Sequence, residues 1–124
     1  MSEGDYVRTD DGLIGKIVSE PYEYKDSIVH DIDFGDNNIY NEYEMYQDII
    51  KSSPNIIDLI EVGDILVIKD FVDEACMIFT DIYLIQNEQQ LLNIKNDLEK
   101  NKNKKLYSIV TKEQFSCMEY KIGE

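Results

Sequence analysis

The stretch HDIDFGDNNIYNEYE, residues 30–44, decides the fold class, because it fits either a calcium-binding loop between two helices or a β-hairpin. Counted from Asp31, the acids Asp33 and Glu42 occupy positions 3 and 12 of an EF-hand loop. Such a loop needs glycine at position 6 for its sharp turn, but Gly35 is at position 5, and the flanking residues favour strands. We therefore predict a hairpin whose turn is Gly35–Asn38. A weak calcium site of another kind, formed by the clustered carboxylates, stays open.

The residues before this turn alternate in a way that predicts a strand with one apolar face. One face is predicted to carry Ile28, His30, Ile32 and Phe34, and the opposite face Val29, Asp31 and Asp33. His30 is then expected to be half-buried and hydrogen-bonded. A role as general base would need a partner, and the sequence pairs no serine or cysteine nucleophile with it.

The N-terminal segment EGDYVRTDDGLIGKI, residues 3–17, predicts two strands joined by a tight turn. The turn is expected at Asp11-Gly12, because glycine tolerates the positive φ that short hairpin turns need. Gly15 would let the second strand bend, which is typical of small SH3-like barrels.

Two features occur twice in the chain and indicate an internal repeat. The first is a Gly-Asp pair before a β-prone run, and the second is a capping box after one. The two copies are Gly4-Asp5 with Asn41 and Glu44, and Gly63-Asp64 with Thr111 and Gln114. The second copy is longer, and an inserted helix accounts for the difference.

That helix is predicted around 88–101, because apolar residues recur there at helical spacing behind a cap signal formed by Asn87 and Gln90. The apolar stripe is Leu91, Ile94 and Leu98. One helical turn or a short strand is expected near residues 56–60, a further short helix at 112–116, and a last strand at 118–122.

The fold class predicted is mainly β (α+β), with two tandem small SH3-like β-barrel units. The first domain is residues 1–52, and the second is residues 53–124 with the helical insertion. We expect the two to pack as one compact body, because a unit of this size buries too little surface alone.

The charge of the chain restricts its partners. Twelve basic against 26 acidic residues give a net charge of −14, and residues 1–48 alone hold 13 acids and 3 bases. Direct contact with nucleic acid or an anionic membrane needs exposed Lys and Arg, so neither is expected. A basic protein is the favoured partner, although solubility alone could also explain the charge.

Cysteines and hydropathy predict a cytoplasmic protein. Cys76 and Cys117 lie in apolar surroundings without a C-x-x-C spacing, so buried free thiols are expected rather than a zinc site. No signal peptide and no membrane-spanning segment are expected, since the N-terminus lacks a basic apolar leader and no run of 18 apolar residues occurs.

Tyrosines among carboxylates are the candidate partner-binding feature, because Tyr is common at the energetic centres of interfaces. The residues that we predict to bind the partner are Asp31, Asp33, Asp36, Tyr40, Tyr43 and Glu44. No catalytic residue, metal ligand or cofactor is predicted. The acidic pairs have no dry pocket, and the glycines form no nucleotide-binding motif.

Three segments together resemble a group of small phage and prophage proteins of clostridia and related Gram-positive bacteria. They are EGDYVRTDDGLIGKI at 3–17, SPNIIDLIEVGDILVI at 53–68 and YSIVTKEQFSCMEYKIGE at 107–124. The resemblance covers about two-fifths of the chain and transfers no catalytic residue. It departs from the group's pattern at IKSSP and FSCMEY. It implies a small viral protein of the host cytosol, a context in which acidic inhibitors of host defence, including anti-CRISPR proteins, occur.

Two functions are therefore carried forward. The first is a non-enzymatic inhibitor or adaptor that presents its acidic, tyrosine-bearing surface to a basic host protein, for example one that normally holds nucleic acid. The alternative is a structural or small-ligand-binding SH3-like module, with an apolar interface that could be homo-oligomeric. The oligomeric state stays open.

Overall fold

The computed structural model describes residues 1–72 and 77–118. These residues form a mainly β structure with small sheets, none of which closes into a barrel within the described residues. The chain divides into two units, Met1–Leu59 and Ile60–Glu124, so the boundary lies after Leu59 rather than after Ser52. The packing of the two units as one compact body stays a prediction.

Unit 1 contains seven strands in two sheets. The strands are β1 (Tyr6–Thr9), β2 (Ile14–Ile17), β3 (Tyr22–Tyr24), β4 (Ser27–Val29), β5 (Asp31–Asp33), β6 (Ile39–Asn41) and β7 (Ile49–Ser53). Five form an antiparallel sheet in the order β6-β5-β2-β1-β7, and β3 pairs with β4 in a separate hairpin. A 3-10 helix at Ile56–Leu59 follows β7, which confirms the helical turn expected there.

The first hairpin forms as predicted. Gly12 has a φ of 86°, and Thr9 donates its backbone N–H to the carbonyl of Leu13 at 2.9 Å to close the turn. Gly15 is needed for space, because a Cβ there would lie 2.8 Å from side-chain atoms of both Ile32 and Phe34. The absence of a side chain at Gly15 therefore lets Ile32 of β5 and the neighbouring Phe34 pack closely against β2.

Val7, Ile17 and Ile32, each fully buried, form a hydrophobic core cluster of unit 1. Half-buried side chains of Phe34, Met45 and Ile49 pack against it. The residues that bear the candidate site, between β5 and β7, are thus attached to a core made by the three central strands.

The predicted alternation through residues 28–34 is wrong in its first half. Val29 is buried and Ile28 is 68% exposed, the reverse of the expected sides, whereas Ile32 is buried as expected. The reason is that the segment forms two strands rather than one. The chain leaves β4 and enters β5 at His30, so the side-chain alternation restarts in a different sheet.

In the described part of unit 2, the chain forms a three-stranded antiparallel sheet and two helices. Its elements are β8 (Ile65–Val72), β9 (Met77–Leu84), α1 (Glu88–Lys100), β10 (Lys104–Val110) and α2 (Lys112–Met118), and the strand order is β10-β8-β9. Helix α1 confirms the predicted insertion: the side chain of Asn87 accepts from the backbone N–H of Gln90 at 2.8 Å, and Leu91 is 7% exposed.

Three predictions fall outside the described part of the chain. The last strand was expected at 118–122, but Met118 ends α2 and residues 119–124 lie outside the description. Residue Cys76 and the side chain of Cys117 also lie outside it.

The two Gly-Asp pairs of the predicted internal repeat make the same pattern of hydrogen bonds. In unit 1, Gly4 donates to the carbonyl of Ile17 at 2.8 Å, and Ile17 donates to that of Asp5 at 2.8 Å. The corresponding bonds of unit 2 join Gly63 to Ile85 at 2.8 Å and Ile85 to Asp64 at 3.0 Å. Both aspartates also accept, through Oδ2, from the backbone N–H three residues earlier.

The repeat does not extend to the strand order. Strand β10, which precedes the second capping box, lies beside β8, whereas β6, which precedes the first, is separated from β1 by β2 and β5. The two units therefore share their turns but differ in topology, because strand pairing depends on contacts distant in sequence that the short motifs do not specify.

Candidate partner-binding site

The turn between β5 and β6 places an acidic residue at a hairpin tip. Gly35, Asp36 and Asn37 have left-handed φ values of 102°, 52° and 63°, and Phe34 donates its backbone N–H to the carbonyl of Asn38 at 3.0 Å. Asp33 accepts from the backbone N–H of Gly35 at 2.8 Å. The stretch is thus a hairpin, as predicted. Asp36 is exposed, whereas Asp33 is half-buried and holds the turn.

The side chain of Asn41 fixes the chain after β6 through two hydrogen bonds to Glu44. Asn41 Oδ1 accepts from the backbone N–H of Glu44 at 2.9 Å, and Asn41 Nδ2 donates to Glu44 Oε1 at 2.8 Å. Asn41 is 4% exposed while Glu44 is exposed. The buried amide therefore holds an exposed carboxylate in place, and the turn that follows presents Tyr43 and Tyr46.

The six predicted residues do not lie on one surface. Tyr40 is opposite Ile32 in the β5–β6 pair, so the two share a sheet face, while Asp31 and Asp33 point to the opposite face. Ile32 is fully buried, but Tyr40 is 49% exposed, because β6 is the outermost strand of the sheet.

Asp31 is engaged inside unit 1. It is half-buried and accepts from the Tyr22 hydroxyl at 2.5 Å. This hydrogen bond raises the pKa of Tyr22, because removing the phenol proton would leave an anion beside the carboxylate. Asp31 thereby attaches β3 to β5 rather than facing solvent freely.

Tyr43 belongs to an aromatic cluster around an exposed lysine. Its ring centroid lies 5.7 Å from that of Tyr24 at an interplanar angle of 67°. Lys25 Nζ lies 5.3 Å from the Tyr43 centroid and 5.5 Å from that of Tyr24, distances suited to cation–π attraction. Tyr43 is 53% exposed despite these contacts.

Tyr40 and Glu44 come together at an open groove of about 400 Å³, which we call the tyrosine groove. Its other lining side chains include Leu13, Phe34, Met45 and Tyr46. Tyr46 is fully exposed, and sequence analysis did not select it among the binding residues. A local sequence motif could not predict the exposure of Tyr46, since exposure depends on which parts of the fold pack around the residue.

A second cavity, of about 550 Å³, shares Met45 and Gln47 with the tyrosine groove. It is lined by carboxylates of Glu42 and Asp48 and by Ile49. Acidic groups therefore line both cavities of this part of unit 1.

His30 is half-buried and hydrogen-bonded, as predicted. Its Nδ1 lies 2.6 Å from Glu42 Oε1, and its backbone N–H donates to the same oxygen at 2.9 Å. The histidine side chain is 13% exposed. Sequence analysis could not predict Glu42 as the partner, because the pair forms across the hairpin.

Unit 1 carries 14 acids and 4 bases, all of which the structure describes. Arg8 is fully buried and donates from Nη1 to the Leu59 carbonyl at 2.9 Å, so the exposed cations of this unit are Lys16, Lys25 and Lys51. Ten of the 14 acids are exposed as well, so the solvent-facing charge of unit 1 keeps the strong acidic excess of its composition.

Comparison of the chain with protein-family models, curated proteins and solved structures found no match. Among the described residues, no helix is long and apolar enough to cross a membrane. In the same part of the chain, no group of three or more His, Cys, Asp or Glu side chains is arranged to hold a metal ion.

Proposed function

We propose that this is a non-enzymatic acidic protein that binds a basic protein through the tyrosine groove of unit 1. The observation that supports this most is the exposure of three tyrosines within seven residues: Tyr40 at 49%, Tyr43 at 53% and Tyr46 at 100%. Three exposed tyrosines so close in sequence form a candidate interface, because interfaces commonly use Tyr as an anchor.

Binding would occur in two steps with different physical origins. The negative potential of unit 1 steers a basic surface toward the groove and raises the association rate. The rings of Tyr40 and Tyr46 are then buried against the partner, while Glu44 and Asp36 pair with its Arg or Lys side chains. Because exposed ion pairs are screened by salt, the first step should weaken as ionic strength rises.

The biological context that we propose follows from the resemblance to phage and prophage proteins. The partner would be a host protein whose basic groove normally holds nucleic acid, with the carboxylates of unit 1 taking the positions of phosphates. The outcome would be inhibition or redirection of that host protein, as in anti-defence and anti-CRISPR proteins, inside the host cytoplasm.

Affinity capture from host lysate at about 0.05 M and about 0.5 M NaCl tests this proposal, since the Debye length falls from roughly 14 Å to roughly 4 Å. A specific basic protein should be captured at low salt and lost at high salt. The same capture with a Tyr40→Ala/Tyr46→Ala variant should lose it at both.

A matched pair of variants separates the groove from the bulk charge. Asp36→Asn/Glu44→Gln and Asp10→Asn/Glu20→Gln each remove two exposed carboxylates of unit 1. Glu44 lines the groove and Asp36 lies in the turn between Phe34 and Asn38, which also line it, whereas Asp10 and Glu20 do not line it. Only the first pair should reduce capture by about tenfold or more. Equal losses, or capture that salt does not affect, would contradict the proposed site.

The alternative function, an SH3-like structural or ligand-binding module, is favoured by the strand order of unit 1. Strands β1, β2, β5 and β6 form an antiparallel meander into which the β3–β4 hairpin is inserted, and β7 returns to pair with β1 at the other edge. In this proposal the tyrosine groove takes a small apolar ligand, and the charge serves solubility alone. Salt-independent ligand binding with no protein captured would favour it.

A further inference from the structure

Strand β9 is a long, exposed edge of the sheet in unit 2. It spans eight residues, and within the described residues its one neighbour is β8. Apolar side chains on both of its faces are exposed: Ile78 at 58%, Phe79 at 49%, Ile82 at 71% and Leu84 at 49%. Unpaired backbone beside exposed apolar side chains is a template for pairing with another strand.

The opposite edge of the same sheet has features that discourage such pairing. Strand β10 begins with Lys104 and Lys105, and its register with β8 shifts between Leu106 and Ser108. Lysines and bulges are the common protection of exposed edges. Strand β9 has neither: its sequence is MIFTDIYL, and its pairing with β8 runs in continuous register. Strand β10 is therefore protected against pairing with a further strand, whereas β9 is not.

The backbone of β9 sets which residues can pair outward. Along an antiparallel strand, the backbone groups of successive residues point alternately to one side and the other. Ile85, directly after β9, donates its backbone N–H to the carbonyl of Asp64, directly before β8, at 3.0 Å. The odd-numbered residues of β9 therefore direct their backbone groups to β8. The even-numbered residues Ile78, Thr80 and Ile82 direct their N–H and C=O groups to the free edge. These are also the residues whose side chains share the exposed face.

We infer that β9 pairs with β9 of a second copy of this chain, antiparallel and centred on Thr80. A two-fold axis through the sheet keeps each face continuous and places Ile78 of each copy opposite Ile82 of the other. The β8–β9 register extends these contacts into apolar rows, since Phe71 lies opposite Ile78 and Val67 opposite Ile82. Each row then joins Phe71 and Ile78 of one copy to Ile82 and Val67 of the next.

The charge pattern favours this register and keeps the repulsion between two copies small. Centring the pair on Asp81 would place two carboxylates directly opposite, whereas centring it on Thr80 places each Asp81 opposite Phe79. Residues 60–124 hold 12 acids and 8 bases against 14 and 4 in residues 1–59, so unit 2 carries net −4 where unit 1 carries −10. Two copies that meet through unit 2 therefore bring together the less charged units.

Sedimentation equilibrium of the full chain tests the dimer without any partner. We expect a dimer that does not weaken between about 0.05 M and 0.5 M NaCl, because apolar burial and backbone bonds are little screened and salt reduces the repulsion between two negative copies. Ile82→Lys should raise the dissociation constant of the dimer more than about tenfold, since it buries an unpaired charge. Ile28→Lys is the matched control, at 68% exposure on a hairpin of unit 1, and should leave it unchanged.

A charge exchange tests the register. Ile78→Lys and Ile82→Glu should each weaken the dimer, and the double variant should restore it, because the introduced lysine of each copy then faces the introduced glutamate of the other. The Ile78→Lys/Ile82→Lys variant should stay monomeric. Far-UV circular dichroism checks that these exposed substitutions leave the fold intact. Hydrogen exchange of the Thr80 and Ile82 amides in the unmodified chain should slow as protein concentration rises.

Three results would overturn the inference. They are a monomer at every concentration, a dimer that Ile82→Lys leaves unchanged, and a double variant that fails to regain the dimer. Each is independent of the proposed function of unit 1, whose test is the capture of a basic protein through the tyrosine groove.

Discussion

Replacing Asn41 with alanine tests whether a buried amide positions the candidate site. The substitution removes the acceptor at 2.9 Å from the Glu44 backbone N–H and the donor at 2.8 Å from the Glu44 carboxylate. Loss of an N-terminal cap costs about 0.5–2 kcal/mol. The second bond adds little because Glu44 is exposed, so we expect a loss of about 1–2 kcal/mol in the free energy of opening this turn.

Amide hydrogen exchange measured by NMR gives the local readout. Glu44 and Met45 both donate their backbone N–H to the Asn41 carbonyl, at 3.1 and 3.2 Å. Their exchange in Asn41→Ala should accelerate by a factor of roughly 5–30, which corresponds to that energy. Asn41→Asp keeps the accepting oxygen but places a second carboxylate beside Glu44, so its effect should be intermediate.

Asn38→Ala is the control for this experiment, because Asn38 contributes its backbone N–H and C=O to the preceding turn but its side chain is exposed. It should leave exchange at Glu44 and Met45 unchanged. Equal acceleration by Asn38→Ala and Asn41→Ala would refute the view that the Asn41 side chain holds this segment in place.

Three further predictions concern stability measured by urea unfolding. Gly15→Ala should cost about 1–3 kcal/mol, because its Cβ would lie 2.8 Å from the Phe34 ring in a packed site, and a loss below about 0.5 kcal/mol would contradict that packing. Leu91→Ala should cost about 2–5 kcal/mol, because this residue is 7% exposed, and far-UV circular dichroism should follow the loss. The hydrogen bond to Asp31 raises the pKa of Tyr22 in the folded state. This bond therefore stabilises the fold at a pH below the pKa that the phenol has in the unfolded chain, and the stabilisation is lost as the pH rises through the higher pKa of the folded state. Tyr22→Phe should therefore lower stability at neutral pH and reduce its alkaline loss; an unchanged alkaline slope would contradict the role of this bond.

Features specified by neighbouring residues could be predicted from the sequence. The turns at Asp11-Gly12 and Gly35–Asn38 depend on residues that tolerate positive φ, and these formed where expected. Helix α1 likewise has its cap at Asn87, and the capping box at Thr111 and Gln114 formed with both of its bonds. At Asn41 and Glu44 only the bond to the Glu44 backbone N–H is that of a capping box. In each case the atoms that make the structure lie within four residues of one another.

Features that depend on distant pairing could not be predicted. No glycine or proline marks His30, yet β4 and β5 meet there because their partners are in different sheets. The position of β10 beside β8 depends on pairs such as Leu106 with Ile68, which no local motif specifies. The same limit applied to the site: the sequence identified acidic residues and tyrosines, but it could not show that Asp31 bonds Tyr22 or that Tyr46 is fully exposed.

The two proposed surfaces differ in the physical interaction that each would use, and ionic strength separates them. Unit 1 has short outer strands, three residues in β6 and five in β7, and a high excess of carboxylates, so its attraction for a partner would be electrostatic and screened by salt. Unit 2 has a smaller excess of carboxylates and an eight-residue strand, β9, with one neighbour among the residues that the structure describes, so its self-pairing would rest on backbone bonds and apolar burial. Raising the salt concentration should therefore release a basic partner while leaving the dimer assembled. A dimer that dissociates together with the partner would indicate that one surface serves both interactions.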